Sequence, residues 1–294
     1  MRICVWSNCT LDGAGSVLLI KYLLKDKIQA FDIHEVKPYK LSDFGGEFKG
    51  WYNNASTYDK IFIIGIDIPD DIISLVDTDK VIIINNQKDC EDQCKARFKQ
   101  AKVIAQYHPN TTSLIYTKLK LETKELTDSQ KQLIDIINDY GSFKDYDSIN
   151  LQSIFNNYNH PKIEKFIARF ETGSRDFDTF EQNAIKLFYK KLKDQLQTAE
   201  YYRGTIKEYN IISCFCNFAI DETAHFTLKK FNSDIAILVN TTTNQVFFRK
   251  KQGCLADLNL LSNKLCNGKG TELAAVGNIT DTFLNFTKHL TPCS

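Results

Sequence analysis

The run Lys60 to Ile68, KIFIIGIDI, limits the fold more than any other stretch of this chain. A continuous apolar segment that ends on an acid, Asp67, is the pattern of a central parallel strand buried on both faces. Shorter strand patterns stand on either side of it. Ile3 to Ser7 reads as a buried strand, followed by the turn Asp12-Gly13-Ala14-Gly15-Ser16 and an apolar helix from Val17 to Leu24. A second strand covers Asp32 to Val36, and Val81 to Ile84 forms another, stopped by Asn85-Asn86-Gln87. Pro69-Asp70-Asp71 opens a helix with proline and acids in its first turn. Strand and helix alternate through this half, so the expected class is α/β with a mainly parallel sheet flanked by helices.

Helical periods continue through Tyr116 to Leu121 and Ser129 to Tyr140, and from Ile154 to about Tyr202 the chain reads as nearly all helical. After Gly204 the pattern returns to strands, at Ile211 to Cys216, Ile235 to Val239 and Val246 to Phe248. The last two flank a polar hairpin loop, residues 240–245. The expected organisation is a large domain over 1–180, a helical linker over 181–206 and a smaller α/β domain over 207–294. A chain of 294 residues is long enough for two such domains.

Bulk properties exclude more than they assign. Hydrophobic content of 43% with 25% charged residues is that of an ordinary globular protein, and a net charge of +1 gives no global pull toward nucleic acid or anionic membrane. No apolar run is long enough for a membrane span, and the first residues run directly into a strand pattern rather than a signal peptide. The nine cysteines are irregularly spaced, and no histidine stands near them in sequence to complete a zinc knuckle. Reduced, mostly buried thiols in a cytoplasmic protein are the expectation.

Ligands of open α/β sheets gather at the carboxyl ends of the strands. Those ends carry Asp12, Asp67 and the amides Asn85, Asn86 and Gln87, and Asp139 closes a later apolar segment. Three carboxylates in one crevice would suit a hard cation such as Mg²⁺ or Mn²⁺. Each also has a plain structural use: Asp12 as a turn or cap residue, Asp67 as a helix cap, Asp139 as a solvated acid. His108, beside Pro109, is the histidine nearest to the crevice in this reading.

The order of these segments resembles that of the DHH/DHHA1 phosphoesterases. Asn8-Cys9-Thr10-Leu11-Asp12-Gly13 resembles their first motif, His-x-Asp-x-Asp-Gly, with Asn8 at the histidine and Thr10 at the first aspartate. Ile66-Asp67 is similar to the second motif, Asn85-Asn86-Gln87 stands at the Asp-His-His signature, and Asn138-Asp139 resembles the fourth motif. In the C-terminal part, Arg249 and the loop Gly268-Lys269-Gly270-Thr271 resemble the arginine and the Gly-Gly-Gly-His segment of the DHHA1 domain.

The resemblance implies a two-metal phosphoesterase ancestry in which the first-motif metal site is lost at Asn8 and Thr10. At most one Mn²⁺ or Mg²⁺ would remain, held by Asp12, Asp67, Asp139 and Asn86. Arg249, Gly268, Lys269, Gly270 and Thr271 would contact the substrate in a cleft between the two domains. The favoured expectation is binding of a nucleotide or a short single-stranded nucleic acid with little or no turnover. A residual single-metal phosphodiesterase and a protein-binding scaffold are the alternatives, with a protein partner or a homodimer left open.

Overall fold

A computed structural model of the chain describes residues 1–37, 43–87, 90–119, 125–140 and 146–293, with the side chains of Cys90, Glu91 and Gln93 excepted. The chain divides into two compact units, Met1–Ala184 and Ile185–Ser294. In the first, the elements run β1 (Arg2–Asn8), α1 (Leu11–Leu24), β2 (Ala30–Val36), α2 (Phe44–Trp51), β3 (Lys60–Ile64), α3 (Ile73–Val76), β4 (Val81–Asn85), α4 (Cys90–Arg97) and β5 (Lys102–Ala105). Four further helices complete it, α5 (Thr111–Leu119), α6 (Asp128–Asp139), α7 (Tyr146–Asn157) and α8 (Lys162–Phe170), and α9 (Thr179–Thr198) crosses the boundary between the units. Residues 120 and 121, expected to be helical, lie outside the described residues.

The strands pair in parallel in the order β2-β1-β3-β4-β5. Alternate side chains serve opposite layers. Ile3, Val5, Phe62, Ile64 and Ile84 pack against α1 and the α5–α8 layer. Cys4, Trp6, Ile61, Ile63 and Ile83 pack against Phe44, Phe48, Ile72 and Val76 of the α2–α3 side. Burial on both faces is what the unbroken apolar runs of β3 and β4 required. Helix α1 is enclosed on nearly all sides, with every residue from Gly13 to Ile20 buried, so it is apolar all round rather than striped.

The expected strand Lys60 to Ile68 ends four residues early. Gly65 takes φ +61, a left-handed backbone that a ladder strand does not use, and β3 stops at Ile64. Ile66 and Ile68 still turn into the core on the Phe44 side, which accounts for the continuous apolar pattern without a continuous strand.

The second unit holds β6 (Tyr201–Ile206), β7 (Tyr209–Phe215), α10 (Ile220–Phe231), β8 (Ile235–Asn240), β9 (Gln245–Lys250), α11 (Leu258–Cys266), β10 (Lys269–Gly270), β11 (Ala274–Asn278), α12 (Asp281–Thr287) and β12 (Thr291–Pro292). Its mixed sheet has the order β10-β11-β9-β8-β7-β6-β12, with β7 and β8 parallel across α10. Where the sequence reading placed linker helix up to residue 206, helix α9 ends at Thr198 and Tyr201–Ile206 forms a hairpin with β7. Lys207 in the left-handed region makes that turn. No helix among the described residues is long and apolar enough to cross a membrane.

Phe166 of α8 is fully buried, with its ring 4.8 Å from Phe170 and 5.9 Å from Phe155. Phe166→Ala removes that packing and leaves a cavity, so urea denaturation should show a loss of about 3–5 kcal/mol with an unchanged slope.

Candidate functional site

The order 2-1-3-4-5 reverses direction between β1 and β3, and that switch point is where such sheets receive ligands. The register sets its floor. Ser7 pairs with Ile64 and Ile64 with Ile84, so the next residues, Asn8, Gly65 and Asn85, stand side by side at the carboxyl ends of β1, β3 and β4. The Asn8 amide nitrogen donates to the Gly65 carbonyl. A Cβ added at Gly65 would lie 3.3 Å from that nitrogen and 3.5 Å from Thr111 Oγ1, so Asn8, Gly65 and Thr111 converge. Asn8 Oδ1 is buried and has no hydrogen-bond partner.

The side-chain amides around this row bond to the backbone and to Thr111. Asn85 Oδ1 accepts from the Gln87 amide at 3.0 Å. Asn86 Nδ2 donates to the His108 carbonyl at 3.0 Å, and Asn86 Oδ1 accepts from Thr111 Oγ1 at 3.0 Å. The His108 ring joins through Nδ1 and Ser113 Oγ, 3.1 Å apart. Thr10 serves as the N-cap of α1, its hydroxyl accepting from the Gly13 amide at 3.0 Å.

Asp12 lies beside this row with its carboxylate turned to α5. Its two oxygens accept from the Thr111 amide at 2.9 Å, the Thr112 amide at 2.8 Å and the Thr112 hydroxyl at 2.7 Å. That hydroxyl also lies 2.9 Å from the Asp12 carbonyl and 3.1 Å from Ser16 Oγ. The first amides of a helix have no partner within it, and Asp12 supplies one for α5 with a charge of favourable sign.

The other two acids sit on different elements, although Asn138, next to Asp139, has its carbonyl 3.1 Å from Asn110 Nδ2, one residue before Thr111. Asp67 follows β3 by three residues and is exposed between the buried Ile66 and Ile68. Its charge opposes ionisation of Cys94 on α4, whose thiol is raised first by burial. Asp139 is the last residue of α6, and together with burial, the larger cause, it raises the carboxyl of Asp135. Among the described residues, the oxygens of Asp12, Asp67 and Asp139 do not come within 4.8 Å of one another as a group.

As these side chains stand, Asp12, Asp67 and Asp139 are not gathered into one set of ligands. Asp12 gives its oxygens to α5, and the Asn86 oxygen takes the Thr111 hydroxyl.

The C-terminal residues singled out by sequence have local work within their own unit. Arg249 Nε pairs with Asp221 at 2.5 Å, and Nη1 donates to the Phe248 carbonyl at 2.9 Å. Gly268 follows the α11 cap residue Asn267, its amide donating to the Ser262 carbonyl at 3.0 Å. Gly270 lets β10 meet β11, since an added Cβ would lie 2.4 Å from the Ala274 carbonyl oxygen. Thr271 closes the turn, its hydroxyl accepting from the Leu273 and Ala274 amides at 3.2 Å. Lys269 is exposed.

Sequence reasoning missed Thr111, Thr112 and Gly65. The threonine pair carries no signal until the fold brings α5 to Asp12. Gly65 had one, because an isolated glycine inside an apolar strand marks a break or a close backbone approach. Cys9, the residue after Asn8, was read only as a motif spacer. It donates from Sγ to Glu35 Oε2, 3.6 Å away, and burial, then Glu35, pushes its thiol up to about 12.

Solved structures with this fold were found, whereas no protein-family model matches the sequence and no curated protein matches it. A pGpG-specific phosphodiesterase, PggH from Vibrio, aligns at TM-score 0.56 and 14% identity, over 98% of this chain and 96% of its own. An exopolyphosphatase-related protein from Bacteroides fragilis aligns at 0.56 and 15%, over 98% and 89%. RecJ from Thermus thermophilus, solved with Mn²⁺, aligns at 0.51 and 12%, over 98% of this chain and 51% of RecJ. At these identities the likeness is one of fold, and it agrees with the fold that the DHH/DHHA1 resemblance implied.

If Asp12 holds α5, its removal destabilises the protein with or without metal. Asp12→Ala should cost about 1–3 kcal/mol in urea denaturation with EDTA present. Asp67→Asn should stay within about 0.5 kcal/mol.

Proposed function

We propose that this chain binds a nucleotide or a short single-stranded nucleic acid at the carboxyl end of the five-stranded sheet, with little or no turnover and no requirement for a divalent cation. One observation carries this reading: the switch-point row is made of Asn8, Gly65 and Asn85, amides and a glycine where a two-metal centre needs anionic ligands. Without cation ligands there is no Lewis acid for a phosphoryl oxygen and no activated water. What such a row offers is hydrogen bonding, and its unpartnered acceptor, Asn8 Oδ1, calls for an N–H or O–H donor such as a base edge or a sugar hydroxyl provides.

The kind of ligand is inferred from the fold. The Vibrio neighbour is by its name a phosphodiesterase acting on the dinucleotide pGpG. A relative that kept the crevice and lost the metals would keep affinity for similar molecules and sequester rather than hydrolyse them.

Calorimetric titration of pGpG and of a short single strand, each in Mn²⁺ and in EDTA, tests this, with chromatography of the recovered ligand. The expected result is the same affinity in both buffers, intact ligand, and binding about three- to tenfold weaker in Asn8→Ala. Turnover that needs Mn²⁺ and disappears in Asp67→Asn would instead identify a residual phosphodiesterase. Neither binding nor turnover would leave a protein-binding scaffold.

A further inference from the structure

Away from the amide row, the first unit gathers one sulfur, one oxygen and one nitrogen donor from three distant segments. Cys9 comes from the β1–α1 turn, Glu35 from β2, and His160 from the stretch between α7 and α8. The Cys9 amide donates to the Val36 carbonyl at 2.9 Å, which holds that turn against the end of β2. Cys9 Sγ lies 3.6 Å from Glu35 Oε2, and His160 Nδ1 lies 2.9 Å from the same oxygen. The three donor atoms all fall within 4.8 Å of one another.

Glu35 has a structural use, but only half of it is taken. Its Oε1 accepts from the Ile163 amide in the first turn of α8, a helix-capping bond. Oε2 is left facing both the thiol and the imidazole. An oxygen oriented by an amide through its twin is the arrangement in which an outer hydrogen bond fixes a ligating carboxylate.

The spacing suits tetrahedral coordination. Bonds of about 2.3 Å to sulfur and about 2.0–2.2 Å to nitrogen or oxygen give tetrahedral edges of about 3.3–3.7 Å. The sulfur–oxygen separation already has that length, and the nitrogen–oxygen one needs to open by a few tenths of an ångström. The Glu35 side chain is 9% exposed and that of His160 is 44% exposed, so the cluster has an inner carboxylate and an outer imidazole. A pocket of 460 Å³, lined by His34, Glu35, Glu47 and His160 among others, opens beside it and leaves room for a fourth ligand.

We propose that Cys9, Glu35 and His160 form a binding site for a borderline-soft divalent metal of the Zn²⁺ class, with the fourth position open to the pocket. A thiolate with an imidazole selects such a metal over Mg²⁺ or Mn²⁺, which prefer all-oxygen sets. On binding, the Cys9 S–H bond breaks, a metal–sulfur bond forms and the proton leaves to solvent. The bound ion ties the β1–α1 turn, β2 and the start of α8 together. This site shares no residue with the amide row, and it stands or falls independently of nucleotide binding.

Co²⁺ is the probe, because a cobalt–thiolate bond gives a near-ultraviolet charge-transfer band and a tetrahedral site gives intense visible bands. The full chain should bind one Co²⁺ with both features, and Zn²⁺ should displace it. Cys9→Ser should abolish the charge-transfer band. His160→Gln, on an exposed loop, should weaken Zn²⁺ binding by at least about tenfold in competition with a chromophoric chelator. Cys254→Ser, in the second unit, should leave both unchanged, with far-ultraviolet circular dichroism confirming that every variant is folded. Zn²⁺ should raise the melting temperature of the wild type and not that of Cys9→Ser. A folded wild type without the band, a band that survives Cys9→Ser, or Zn²⁺ affinity unaffected by His160→Gln would each overturn the assignment.

Discussion

The Asp12 carboxylate belongs to the first turn of one helix and caps the first turn of another. Helix α1 is enclosed by the sheet and the α5–α8 layer, so the opening amides of α5 meet protein there rather than bulk water. Leaving them unpaired would cost about 1–3 kcal/mol per group, and an aspartate accepting from two amides and a hydroxyl removes that cost. The same contact sets the site. Thr111, held by Asp12, extends its hydroxyl to Asn86, and Thr112 reaches Ser16, so the amide row, the β4 end and the α1–α5 packing form one connected network. A cation drawn to Asp12 would have to compete with those donors for the same lone pairs.

The chemistry of the switch point follows from charge. Hydrolysis of a phosphate ester by metal ions needs anionic ligands to hold the ions and an ion to acidify water. Asn8, Gly65, Asn85 and Asn86 bring no charge, and their hydrogen bonds run largely to the backbone and to Thr111. The row itself therefore offers hydrogen-bonding groups, and the nearest charge, that of Asp12, is turned to α5. The acids that remain, Asp67 and Asp139, act on Cys94 and Asp135, neither of which belongs to the row.

Much of the fold was legible because its strands have to be apolar on both faces. Runs such as those of β3 and β4 announce buried parallel strands, and the order of the motifs pointed to the fold these solved structures share. Position along the chain was less legible than identity. Ile66 and Ile68 prolong the apolar run of β3 because they are core residues, yet Gly65 has already turned the chain, and Asp67 between them is exposed. Strand β6 was hidden by the amphipathic period of α9 running into it, and the four residues of β5 are too few to show a period. The contacts that define the sites were not legible at all. Asp12 meets Thr112 across a separation of 100 residues and Glu35 meets His160 across 125, and no spacing rule joins such pairs before the chain is folded.

The turn after β1 shows how one short segment serves two places. Asn8 bonds to the Gly65 carbonyl and borders the amide row, while Cys9, the next residue, donates to Glu35. Consecutive residues can do this only if the backbone between them is held, and three bonds hold it: Thr10 N to Asn8 O at 2.8 Å, Cys9 N to Val36 O at 2.9 Å and the Thr10 cap on Gly13. Thr10 thus has a use that requires no metal, and the same is true of Asp12. Both residues occupy motif positions where the resemblance to phosphoesterases suggested ligands, and both are explained by the helices they begin. The frame of the switch point thus rests on capping and packing energies, to which an ion contributes nothing.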